Sequence, residues 1–176
     1  MLIDYDNFEI CAARDAPGSE LDLHSLIEFA QRHGTVVVAR AYSEWNNPVE
    51  RLNVYKAGIE PAFAPVLRPE GRGGEGKSLA DTVMVADGVD LIWNLAPDVL
   101  ILVTSDKDLI PLARLAKQRG IHVVVFGSDF TAIPLVEMAN EFVTYRGCVA
   151  EKLAALSLEK SATGLKAPAR LSREAR

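Results

Sequence analysis

The chain alternates short β-branched runs with longer stretches of helical period. Met1–Ile3 predicts a short strand ending at Asp4, and Leu21–His33 a helix with Leu23, Leu26, Ile27 and Ala30 on one face and Gly34 as its stop. Thr35–Tyr42 holds Val36, Val37 and Val38 and predicts a buried strand. Asn47, Pro48 and Glu50 form a helix start, and that helix runs to Gly58. Ile59–Leu67 predicts a weaker strand, placed at a sheet edge by its two prolines. Arg68–Gly76 has four glycines in nine residues and predicts a polar loop, followed by a helix from Ser78 to about Leu95. Val99–Thr104 is a continuous apolar run, the mark of a central parallel strand. A helix over Asp108–Arg119, a strand over Ile121–Phe126, a short helix over Thr131–Asn140 and a strand over Phe142–Tyr145 complete the alternation. Cys148–Leu158 can add one more helix, and residues 161–176 form a basic tail.

Strands alternating with helices predict an α/β fold with a mainly parallel sheet and right-handed crossovers. With 176 residues the economical division is one domain over 1–147, a C-terminal helix over 148–160 and the tail over 161–176. The formal net charge of −5 excludes a basic surface that coats nucleic acid non-specifically. The charge is uneven: residues 1–150 carry −8 and residues 151–176 carry +3. The tail therefore suits either an RNA-steering arm or a link to a protein partner. Two cysteines exclude a disulfide framework, and three histidines show no metal-ligand spacing. The opening MLIDYDNFEI, with acids at 4 and 6, does not read as a secretory signal, and no apolar run is long enough for a bilayer. A cytoplasmic, reducing setting is expected.

The chemistry gathers after the strands. Asp4 ends the first strand, with Asp6 and Asn7 close behind, and Asp106 and Asp108 follow the central apolar strand. Open α/β sheets bind ligands beyond the carboxyl ends of strands, where strand order reverses. If the first strand and Val99–Thr104 flank that point, Asp4 and Asp106 face each other. Asp81 lies early in the Ser78–Leu95 helix, near apolar neighbours that should face the sheet. Asp87 is about 240° around the helix from Asp81 and reads as structural. Carboxylates converging without His or Cys call for a hard divalent cation, Mg²⁺ or Mn²⁺. Such an ion polarises a phosphodiester and activates water. Gly71–Ser78 also matches the P-loop pattern G-x-x-x-x-G-K-S, although three prolines before it disturb the buried strand a P-loop needs. Lys77, Arg68 and Arg72 are candidate phosphate contacts. Trp45 follows a strand end and is a minor candidate for base stacking.

Three blocks in order resemble the NYN domains, PIN-like nucleases that include the bacterial LabA/DUF88 group. They are Ile3-Asp4-Tyr5-Asp6-Asn7-Phe8, Lys77-Ser78-Leu79-Ala80-Asp81 continuing to Asp87, and Thr104-Ser105-Asp106-Lys107-Asp108-Leu109-Ile110-Pro111-Leu112. Coverage is about residues 1–146. The resemblance implies a three-layer α/β/α sandwich and metal-dependent cleavage of RNA. It implies Asp4, Asp81, Asp106 and Asp108 as the metal-binding catalytic acids, with Asn7 steadying Asp4 and Ser105 bonding near metal or phosphate. Thr104-Ser105 stands where the family has Ser-Gly, and Leu109 where it has Phe. PIN-like domains often form homodimers, which leaves that state open here. Two alternatives stand beside the ribonuclease: a non-catalytic RNA-binding module on the same fold, and a P-loop nucleotide-binding protein.

Overall fold

Strand β1 (Leu2–Asp4) sits inside a six-stranded, wholly parallel sheet. The computed structural model describes residues 1–15, 23–68 and 76–148. The expected C-terminal helix beyond Cys148, the basic tail and Arg72 lie outside these residues. On one side of β1 run β2 (Arg40–Ser43) and β3 (Glu60–Phe63). A two-stranded antiparallel ribbon follows, β4 (Val66–Leu67) with β5 (Lys77–Ser78). On the other side of β1 run β6 (Val99–Val103), β7 (His122–Gly127) and β8 (Glu141–Thr144), giving the order β3-β2-β1-β6-β7-β8. The order reverses between β1 and β6, so the crevice beyond their carboxyl ends is where a ligand belongs.

Six helices that lie wholly among the described residues cover the two faces. They are α1 (Tyr5–Asp15), α2 (Leu23–Gln31), α3 (Pro48–Lys56), α4 (Ala80–Asn94), α5 (Ile110–Gln118) and α6 (Ile133–Met138). The period-2 alternation of the strands sorts them. Ile3, Ile101, Val103, Val124 and Phe126 pack with Phe8, Leu26, Phe29 and Val54, on the face covered by α1, α2 and α3. Leu2, Leu100, Leu102, Val123 and Val125 pack with Met84, Ile92, Leu112 and Leu135, on the face covered by α4, α5 and α6. The fold is the expected α/β/α sandwich.

Several boundaries differ from the sequence reading. Helix α1 starts directly after Asp4, where no helix was expected before Leu21. Its buried Tyr5, Phe8, Cys11, Ala12 and Asp15 recur at helical spacing. The second strand begins only at Arg40, because it pairs in register with β1, Leu2 opposite Arg40. The Val36–Val38 run therefore precedes the sheet, and Val37 is 64% exposed. The single strand expected over Ile59–Leu67 is two: β3 at the sheet edge and β4 in the ribbon. The ribbon also removes the P-loop reading. Lys77 and Ser78 are extended and pair with Leu67 and Val66, and the following helix begins at Ala80. A P-loop places its Lys-Ser pair at the start of the helix.

Gly88 marks where α4 crosses α5. A Cβ at this position would meet Leu112 Cδ2 at 2.5 Å, and Leu112 is fully buried. Gly88→Val is expected to destabilise the domain by about 1–3 kcal/mol through overpacking. Urea denaturation checks this, and a variant as stable as the wild type would show that the helices separate without cost.

Candidate active site

Asp4 ends β1 at the point where α1 begins, so its side chain stands over the first turn of that helix. Asp4 Oδ1 accepts the backbone N–H of Asn7 at 3.3 Å, an N-cap geometry. The holding atom is thus Asn7's backbone. The Asn7 side chain does something else: its Oδ1 accepts the backbone N–H of Ser105 at 2.9 Å, tying α1 to the end of β6. Thr104 links two of the acids. Its hydroxyl donates to Asp4 Oδ2 at 3.5 Å and accepts the backbone N–H of Asp106 at 3.1 Å. Asp106 Oδ1 in turn accepts the backbone N–H of Asp108 at 2.9 Å, capping the 3₁₀ turn Lys107–Leu109.

Asp81 comes from the opposite face, at the start of α4. Carboxylate oxygens of Asp81, Asp106 and Asp108 lie within 4.8 Å of one another. Asp4 adjoins this trio. It is 6% exposed, and its pKa is pushed up to about 7, first by burial and then by the charge of Asp81, against the opposing pull of the Asn7 N–H. The Asp81 carboxyl is also raised, by burial and then by the charges of Asp106 and Asp108, and a hydrogen bond shared with Asp4 pulls it back. Lys107 is the cation beside the acids, but it is exposed and pairs with Asp108 at 3.1 Å.

A divalent metal fits this donor set. The ligands are hard carboxylate oxygens with no His or Cys among them. Asp81 Oδ1 is buried and has no hydrogen-bond partner among the described residues. A buried carboxylate oxygen left without a partner is costly unless a cation satisfies it.

The structure places the other candidates differently from one another. Ser105 Oγ is turned into a cluster of hydroxyls, 3.0 Å from Ser128 Oγ and 3.1 Å from Thr131 Oγ1, and it accepts the Ser128 N–H at 3.2 Å. Cys11 Sγ joins the cluster at 3.5 Å from Ser105 Oγ. Ser105 therefore braces the loop after β6 against the loop after β7. Gly127 makes room for this, since a Cβ there would lie 2.2 Å from Thr131 Oγ1. Arg68 forms a bidentate pair with Glu44, Nη1 to Oε1 at 2.7 Å, so its guanidinium is engaged within the protein. Lys77 is exposed on β5 and is not on the helix that carries Asp81. Asp87 accepts from Tyr42 Oη at 3.0 Å and from Arg40 at 3.2 Å, a structural role that ties α4 to β2.

Ser128, Thr131 and Cys11 were not expected at the site from the sequence, and Thr104 stood there only as a departure from the family's Ser-Gly. The register carries the signal for Ser128. Val103 lies opposite Phe126, so Ser105 and Ser128, each two residues further on, arrive at the same height.

A parallel α/β/α sandwich with carboxylates gathered where strand order reverses is the architecture of a PIN-like domain. The chain belongs to the NYN domain family, whose model matches residues 1–150. It is similar to an uncharacterized protein of Methanocaldococcus jannaschii, 30% identical over 111 residues, which is 62% of this chain and 41% of that relative. The match thus spans less than half the length of the curated relative. A crystal structure of a protein of unknown function from Vibrio parahaemolyticus has a similar fold, with a TM-score of 0.69 and 27% identity, covering 82% of this chain and 90% of that one. No helix among the described residues is long and apolar enough to cross a membrane.

Proposed function

We propose that the protein is a divalent-metal-dependent ribonuclease that hydrolyses RNA phosphodiester bonds at the aspartate cluster. The observation that carries this reading is the convergence of Asp81, Asp106 and Asp108, with Oδ1 of Asp81 buried and without a partner among the described residues. Asp81, Asp106 and Asp108 would hold Mg²⁺ or Mn²⁺, with Asp4 beside them. The ion supplies Lewis-acid polarisation of the phosphodiester and a water of lowered pKa. The chain's own residues do the rest. Thr104 and the backbone of Asn7 fix Asp4, and the Asp106 cap fixes the turn that presents Asp108. Without metal, burial and the neighbouring Asp81 raise the Asp4 carboxyl to about 7, and the Asp81 carboxyl is raised as well. Family membership supports RNA as substrate, and the reduced cysteines Cys11 and Cys148 suit a cytoplasmic setting.

The test is cleavage of an end-labelled RNA in millimolar Mn²⁺ or Mg²⁺ and in EDTA, by wild type and Asp81→Asn. Cleavage is expected only with metal and only in the wild type. Equal cleavage by both proteins, or cleavage in EDTA, would overturn the proposal.

A further inference from the structure

A groove runs between α3 and the edge strand β3. It is lined by Trp45, Arg51, Leu52, Tyr55, Lys56 and Phe63, among others. Three of its side chains are large and apolar yet open to solvent: Leu52 is 48% exposed, Tyr55 68% and Phe63 63%. Exposed apolar side chains gathered in one groove mark an interaction surface.

The charges along the groove are not balanced as they are in the whole chain. Its acids are already neutralised within the protein, Glu60 by Arg40 at 2.7 Å and Glu44 by Arg68. Arg51 and Lys56 line the same groove and have no ion-pair partner among the described residues. In a protein of net charge −5, the groove offers aromatic faces and two uncompensated cations. Aromatic faces interleaved with cations bind single-stranded nucleic acid by base stacking and phosphate contact. A β-strand partner is poorly served there. The backbone N–H groups of Glu60 and Ala64 point inward to Ala39 and Ser43, so the outward positions are Pro61, which has no N–H, and Phe63.

The groove ends at Trp45, which packs toward the end of β1. Trp45 closes its upper end, donating its indole N–H to Ala62 O at 2.7 Å. Its ring lies 4.9 Å from that of Tyr5, the residue after Asp4. Ser43, at the end of β2, donates to Asp6 at 2.7 Å. Trp45 thus sits between the groove and the end of β1, where Tyr5 and Asp4 are buried beneath the surface.

We infer that the α3–β3 groove binds single-stranded RNA, with bases stacked on Tyr55 and Phe63 and phosphates on Arg51 and Lys56, and leads the strand past Trp45 to the aspartate cluster. This rests on the reading of the protein as an RNA-directed nuclease. The experiment separates the two. Binding of a labelled single-stranded oligouridylate is measured by fluorescence anisotropy in EDTA, for wild type and for Tyr55→Ala, Phe63→Ala and Arg51→Gln/Lys56→Gln. All four positions are exposed, so the variants should fold, and circular dichroism checks this. Each aromatic variant should bind about tenfold more weakly. The charge variant should also lower the slope of log K against log salt by about 1.4, the share of two single-strand phosphate contacts. A merely structural role would leave that slope unchanged. Wild-type affinity in all variants would overturn the inference while leaving metal-dependent cleavage to stand on Asp81→Asn. So would a wild-type dimer that the variants dissolve without loss of RNA affinity, which would make this face a contact between copies. Groove-dependent binding without any metal-dependent cleavage would uphold the groove and overturn the nuclease.

Discussion

Asp4→Asn is expected to make the metal-free protein more stable than the wild type at pH 8, by up to about 4 kcal/mol, and to leave it nearly unchanged at pH 4. Asp4 is buried at the end of β1 beside Asp81, and its carboxyl is held at about 7 rather than the usual 3.8. Between those values the folded chain keeps a proton that the unfolded chain has released. Stability therefore falls as pH rises through this window, and the full cost is present above about 7. A shift of about three units corresponds to about 4 kcal/mol. Asparagine has no charge to bury. Its amide oxygen can keep the Asn7 N–H, and its NH₂ can face Thr104 Oγ1, which has a second lone pair. Urea denaturation in EDTA at the two pH values gives the difference directly. A gain below about 1 kcal/mol at pH 8 would show that Asp4 is charged without strain in the metal-free fold. Manganese at neutral pH should narrow the difference, because ligand at a hundredfold its Kd adds about 2.7 kcal/mol to the protein that binds it.

The same balance explains why the acids were legible and their supports were not. Asp4, Asp106 and Asp108 sit directly after apolar strands, and a parallel sheet brings strand ends to one edge whatever the register. Asp81 stood out as an acid near the sheet-facing side of its helix. The supports depend on register, which pattern alone does not supply. The Thr104 bridge, and the Ser105–Ser128–Thr131 cluster, exist because Val103 lies opposite Phe126. Arg68 looked free in a polar loop. It is engaged because β2 ends at Glu44's doorstep, with the ribbon beside it. The ribbon pairs Val66–Leu67 with Lys77–Ser78 across a long glycine-rich stretch, and no local signal predicts so distant a partner. The valine run at 36–38 misled for a related reason, since apolar content gives a strand its propensity while the partner strand decides where pairing begins. Helix α1 has its signal in Tyr5, Phe8, Cys11 and Ala12, but it follows β1 with no residue between them and so lacks the turn that usually marks a helix start.

Asp106→Asn should lower metal-dependent RNA cleavage by about 10²–10³-fold while leaving stability in EDTA within about 0.5 kcal/mol of wild type. Such a loss is about 3–4 kcal/mol of transition-state stabilisation, the scale expected when a carboxylate is removed from a metal centre. Asp106 has two separable duties. Its Oδ1 accepts the Asp108 N–H at 2.9 Å and caps the 3₁₀ turn, and its negative charge joins those of Asp81 and Asp108. Asparagine keeps an oxygen for the cap and loses only the charge. Asp106→Ala loses both, so it should show the same loss of cleavage and be about 1 kcal/mol less stable. Single-turnover cleavage and urea denaturation on the two variants separate the duties. If Asp106→Ala lost activity and Asp106→Asn kept it, the cap alone would matter, and the aspartate cluster would be a structural turn rather than a catalytic centre.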